Sequence, residues 1–177
     1  KLARAATGKL GILSTDNSFH GKTLGALSAT GRPYYQKPFG APARGFEQVP
    51  FGDLAALENE LNRRDDIAAF LVEPIQGEGG IVEPPPGYLA GVREICSRHD
   101  VLLIVDEIQT GLGRTGHIFV CEAERVRPDI LVVAKALGGG LIPIGAMLAS
   151  EAVYVEEFAI KHTSTFAANT LACRVGL

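Results

Sequence analysis

A chain of 177 residues, 46% apolar and 21% charged, has the make-up of a soluble globular protein of about one domain. It is long enough to bury a core and short for a two-domain enzyme. With 17 basic and 20 acidic residues the net charge is -3, which gives no footprint for nucleic acid or an anionic membrane surface as partner. Apolar runs such as 101–105 and 130–134 are far too short to cross a bilayer, and no signal peptide precedes them, so a cytoplasmic location is expected.

Along the chain, Lys1 to Ala6 reads as the last turns of a helix closed by Gly8. Short runs rich in β-branched residues follow at 10–13, 68–72, 102–105, 130–133 and 145–148 and alternate with stretches of helical period. Asp53 opens an amphipathic helix over 54–61, and the turn Pro84-Pro85-Pro86-Gly87 leads into a longer one over 88–99. The stretch 32–45, with three prolines and two glycines, is expected as a long surface loop. A helical pattern starts again at Leu171. Both ends read as cut through helices, which suggests a piece of a longer polypeptide. The alternation predicts an α/β fold of three layers, helices on both faces of a mostly parallel sheet, incomplete at both ends. Cys96, Cys121 and Cys173 form no C-x-x-C pair and are odd in number, which argues against a disulfide framework and a zinc site. They are expected as small buried hydrophobes, and no metal is expected.

The polar residues fall where such a sheet binds ligands. Glu73 and Asp106 each directly follow a strand run, and Lys135 lies two residues past a third, so the three are expected to converge on one crevice at the carboxyl ends of the strands. Lys135 sits where an apolar run meets Gly138-Gly139-Gly140; low-dielectric walls there would favour a neutral amine able to form a Schiff base. A strand-end lysine snorkelling to solvent is equally compatible. Asp106, at the end of a very apolar run, requires a cation or donors. A protonated heterocycle nitrogen would serve, as would a helix cap or a Walker-B-like metal site, although no G-x-x-x-x-G-K-[ST] loop accompanies it. The segment Gly111-Leu112-Gly113-Arg114-Thr115-Gly116 matches G-x-G-x-x-G by letter. A dinucleotide fingerprint must turn directly from strand into helix, whereas here mixed residues intervene and 117–120 continues with extended character.

Taken together, Asp106-Glu107-Ile108-Gln109-Thr110-Gly111, Arg127-Pro128-Asp129-Ile130 and Lys135, with 29 positions between Asp106 and Lys135, resemble the class III aminotransferases. These are pyridoxal-phosphate (PLP) enzymes of fold type I. The resemblance runs over nearly the whole chain and implies that residues 1–177 are the central part of the large cofactor-binding domain, without the N-terminal segment and the C-terminal small domain. It implies that Lys135 forms the Schiff base with PLP and that Asp106 pairs with the pyridine nitrogen. Gln109 would face the ring's phenolic oxygen, Ile108 would pack beneath the ring, and Phe19, with His20 beside it, would stack above. Glu73 would support the cofactor site, and Glu78 lies where relatives place a gate that pairs with an arginine. Ser164 and Thr165 resemble the segment that reaches the phosphate of the partner's cofactor, which implies a homodimer. At Phe166-Ala167-Ala168-Asn169 the chain departs from the small glycine residues usual there.

The implied activity is transfer of an amino group from an amine donor to a keto-acid acceptor such as 2-oxoglutarate. The segments 19–27, 84–89 and 136–140 are most similar to putrescine-type diamine aminotransferases, so a terminal amine is the expected donor. Acetylornithine, ornithine and 4-aminobutyrate enzymes share much of these segments, as do aldehyde-aminating modules of secondary metabolism. A PLP-dependent racemase or aminomutase, or an inactive structural domain, is the alternative to transamination.

Overall fold

The structure is a computed structural model describing residues 1–177. In chain order it contains α1 (Leu2–Thr7), β1 (Gly11–Thr15), α2 (Leu24–Ala29), α3 (Pro33–Gln36), β2 (Phe46–Val49), α4 (Leu54–Arg63), β3 (Ile67–Val72) and α5 (Tyr88–Arg98). Then come β4 (Leu102–Asp106), α6 (Val120–Ala123), β5 (Ile130–Val133), β6 (Ala146–Ala149), α7 (Glu156–Lys161) and α8 (Thr170–Gly176). The six strands form one sheet in the order β2-β1-β3-β4-β5-β6. All neighbours pair parallel except β5 with β6.

Parallel strands need covered faces because each crossover returns over the sheet. On one face Leu13, Phe70, Val72, Leu103 and Val105 pack against Leu57 and Leu61 of α4 and Leu89, Val92 and Cys96 of α5. The helical residues recur every three or four positions, so each helix presents one apolar stripe. Leu57 and Leu103 are fully buried, and truncating either to Ala would cost about 2–5 kcal/mol. On the other face Leu2 and Ala3 of α1 meet Ile12, Ala69, Ile130 and Val153, with Phe158 of α7 against them. This is the three-layer α/β/α arrangement expected.

Local signals explain the element ends. Asp53 accepts a hydrogen bond from the Ala56 N–H at 2.9 Å and caps α4, satisfying one of the orphan donors of a helix start. Gly8, at φ +69, closes α1, and Asn169 caps α8 through the Ala172 N–H at 3.0 Å. The stretch 32–45 differs from the loop expected. Pro33 stands at the start of α3 and a 3-10 turn follows over Lys37–Phe39, because proline's fixed φ suits a first helical turn. Strand β2 is an addition on the sheet edge. Cys96 and Cys121 are buried as expected, with burial pushing both thiols up to about 12. Cys173 is exposed, on the solvent side of α8, and is not a core residue.

Candidate active site

The carboxyl ends of β1, β3, β4 and β5 all open on one side of the sheet, as parallel pairing requires. A cavity of about 140 Å³ lies there, lined by Phe19, His20, Gly21, Glu73, Glu78, Asp106, Ile108, Gln109 and Lys135. Eight of the ten site residues expected from sequence thus share one cavity. Ser164 and Thr165 do not: they sit in the exposed segment between α7 and α8.

Asp106 is the last residue of β4 and 5% exposed. Its Oδ1 accepts from the Ile108 N–H at 3.0 Å, and its Oδ2 lies 2.8 Å from Nδ1 of His20. An ionised carboxylate only accepts, so the His20 Nδ1 carries the hydrogen in this pair. That leaves Nε2 of His20 buried and without a partner in the chain. The His20 backbone is fixed in turn, its N–H donating to Oγ1 of Thr30 at 3.0 Å.

Glu73, one residue past β3, is 4% exposed and ties two loops together. It accepts from the Phe19 N–H at 2.9 Å and from the Gly77 N–H at 3.2 Å. Burial pushes its carboxyl above the ordinary range, opposed by the Phe19 N–H, the nearby His20 and the Gly77 N–H. Glu73 thereby fixes the backbone of Phe19 beside the cavity. Gln109 is placed by the turn after Asp106 and packs on Gly77, where an added Cβ would lie 2.7 Å from its Cγ.

Lys135 hydrogen-bonds the Gln109 side-chain oxygen. It stands at φ +48 at the start of a 3-10 turn (Lys135–Gly138), a region costing a non-glycine residue about 1–2 kcal/mol. Such strain gathers at functional positions where the surroundings fix the backbone. The residue is exposed, so the low-dielectric walls expected around its amine are not there. The turn lifts it out of β5 toward the cavity mouth, where the Gln109 amide oxygen meets it instead.

The segment Gly111 to Gly116 forms no strand-to-helix turn. The Leu112 and Gly113 N–H groups donate to the carbonyls of Ile118 and His117, folding it back on itself away from any dinucleotide geometry. No three or more His, Cys, Asp or Glu side chains are grouped so as to hold a metal ion. No helix is long and apolar enough to cross a membrane.

The family model for class-III aminotransferases matches residues 1–177. The chain belongs to the class III aminotransferases. Among solved structures it is similar to the ornithine aminotransferase of Toxoplasma gondii ME49, at 39% identity and a TM-score of 0.90 over 99% of this chain and 43% of that one. A second structure of the T. gondii ornithine aminotransferase, at 38% identity and TM-score 0.89 over 99% and 43%, has partial occupancy of PLP at its active site. An (S)-enantioselective omega-transaminase from Thermomicrobium roseum matches at 33% identity and TM-score 0.89, over 99% of this chain and 46% of that one. The chain therefore spans less than half the length of these structures. Their class III frame is the mostly parallel, helix-flanked sheet described above.

Around this cavity several supporting residues carried no clear sequence signal. Glu107 is 1% exposed. It accepts from the Thr110 hydroxyl at 2.8 Å and from the Val120 and Cys121 N–H groups at 3.1 and 2.9 Å. It thus pins the turn bearing Gln109 to the first turn of α6. An acid followed three residues later by Thr was the only hint. Gln76, also 1% exposed, donates to Oγ1 of Thr15 and the carbonyl of Asp16 at 3.1 and 2.7 Å, joining the loops after β1 and β3.

Proposed function

We propose that this chain is the central part of the cofactor-binding domain of a PLP-dependent transaminase that takes its amino group from a terminal amine, a diamine above all, and gives it to a keto acid. What supports this is the convergence of Lys135, Gln109, Asp106 and His20 on the cavity that Phe19 and Ile108 flank. The residues fit the cofactor. A nearly buried carboxylate suits a ring N–H, two apolar side chains suit the faces of a flat ring, and a primary amine suits an aldehyde. The buried, unpartnered His20 Nε2 marks polar capacity that the chain itself leaves unused. Bound PLP would supply an aldehyde carbon and an electron-withdrawing protonated ring.

In this reading Asp106 holds a proton on the ring nitrogen, and His20 holds Asp106. Gln109 orients both the Lys135 amine and the ring's phenolic oxygen. Lys135 supplies the captured amine and, once displaced by the donor, moves a proton to and from the substrate carbon as general base and acid. Phe19 and Ile108 exclude water from the faces of the ring, and Glu73 keeps Phe19 in place. Glu78, the expected substrate gate, stands at the mouth, where the far end of the donor enters. A homodimer, in which Ser164 and Thr165 reach the phosphate at the partner's cavity, agrees with their exposure and their distance from this one. The location is proposed as cytoplasmic.

The test is covalent capture. Incubation with PLP and borohydride should label Lys135, and Lys135→Ala should remove the label; an undiminished adduct in that variant refutes the assignment. A donor panel follows, with 2-oxoglutarate as acceptor. Diamines should outperform α-amino acids, and reaction of α-amino acids alone would sink the terminal-amine preference.

A further inference from the structure

Outside the cavity lining, two side chains grip the loop that carries Glu78. Gln76 and Val82 are bridged by a pair of backbone hydrogen bonds of 3.0 Å, and between them the chain turns through residues 77–81. The turn's own bonds run from the Gly80 and Ile81 N–H groups to the Gly77 carbonyl, which leaves the carbonyls of Glu78 and Gly79 to outside donors. Nη2 of Arg32 donates to the Glu78 carbonyl at 2.6 Å, and Nδ2 of Asn17 donates to the Gly79 carbonyl at 2.9 Å. The two donors are themselves joined, since Oδ1 of Asn17 accepts from Nε and Nη2 of Arg32 at 3.2 and 3.1 Å.

The backbone is shaped for this grip. Asn17 stands at φ +55, a left-handed conformation that Asn tolerates better than most residues. Arg32 follows Gly31, where a Cβ would come 2.1 Å from the Thr15 carbonyl oxygen, so only glycine brings Arg32 this close to β1. At Gly79 a Cβ would lie 2.9 Å from Nδ2 of Asn17. The Arg32 guanidinium also lies 5.8 Å from the centre of the Tyr35 ring, and Tyr35 meets Phe19 edge-on with centroids 6.2 Å apart. Two walls of the cavity are thus linked through one arginine.

We propose that Arg32 and Asn17 are positioning residues, a clamp that holds Glu78 at the cavity mouth and sets how strongly the site favours donors with a second cationic end. This rests on the transaminase reading above. Glu78 is exposed at the mouth, where its carboxylate attracts an entering ammonium group. The attraction depends steeply on where the carboxylate is held. Loosening the loop spreads Glu78 over many positions and weakens that preference, while the chemistry at Lys135 goes on.

Hydrogen exchange read by mass spectrometry tests the clamp directly, comparing the unaltered chain with Arg32→Ala and with Asn17→Gly, which keeps the φ +55 backbone while deleting the amide. In each variant the peptide covering 77–81 should exchange about tenfold faster, with β3 and β4 unchanged, and the double variant should add little because the two act as one unit. Unchanged exchange in both variants overturns the clamp. Should Arg32→Ala loosen the whole sheet, Asn17→Gly, which vacates no core position, decides alone. In turnover, KM for 1,4-diaminobutane should rise about tenfold against that for butylamine with kcat little changed, and an equal rise for both donors overturns the link to discrimination. Failure of PLP capture in the unaltered chain would count against the transaminase reading instead, and the exchange result would still decide the clamp.

Discussion

Oδ2 of Asp106 and Nδ1 of His20 lie 2.8 Å apart, with side chains 6% and 3% exposed, so the carboxylate that ends β4 is held by a residue from the loop after β1. Replacing His20 with Phe keeps most of the volume and removes the donor. Urea unfolding should show a loss of about 1–3 kcal/mol, the cost of an unpaired buried acceptor. His20→Asn, which keeps a donor, should recover part of it. Equal losses in the two variants would show that ring packing, and not the hydrogen bond, holds Asp106.

Glu107 receives three hydrogen bonds and donates none. In Glu107→Gln an NH2 group must face a backbone N–H, so a loss of about 2–3 kcal/mol is expected, against about 1 kcal/mol for Thr110→Val, which deletes one donor only. Both follow from chemical denaturation. A Gln variant as stable as the parent would mean that the carboxylate does not brace the turn.

Lys135 sits in the left-handed region at φ +48. Lys135→Gly should therefore be more stable than Lys135→Ala by about 1 kcal/mol, since only the glycine is relieved of the Cβ clash. The order would reverse if the residue relaxed to ordinary backbone in solution, and thermal melts of the two proteins suffice to see it.

Burial raises the folded-state pKa of Glu73 above its unfolded value. The sign follows from linkage: the folded form binds this proton more tightly. The contribution is therefore fully present below the unfolded value of about 4.3 and lost as pH rises through the raised one. Glu73→Gln should flatten the stability profile over that window. If the variant and the parent have the same slope there, the group is not desolvated as described.

Much of this was legible because the charged groups of the cavity sit at strand ends. Glu73, Asp106 and Lys135 each follow an apolar run, and parallel pairing of β3, β4 and β5 carries all three to the same edge. Asp53 and Gly8 announced their helix ends by residue type alone. Strand β2 was not legible, since Phe46-Glu47-Gln48-Val49 is short and half polar, as an edge strand can be when one neighbour supplies its pairing. The exposure of Lys135 was hidden too, because the left-handed backbone that lifts it out of β5 has no counterpart in residue pattern. Asn17 and Arg32 act through partners 62 and 46 positions away, and no local signal reports such a contact.

The contacts that make the cavity bridge long stretches of chain: 54 positions from Phe19 to Glu73 and 86 from His20 to Asp106. Loop closure over such distances comes late and slowly in folding. No fragment short of β1 through β5 can assemble these neighbours. The cavity therefore closes only when the strands have found their register, so its assembly marks the completion of the sheet that carries it.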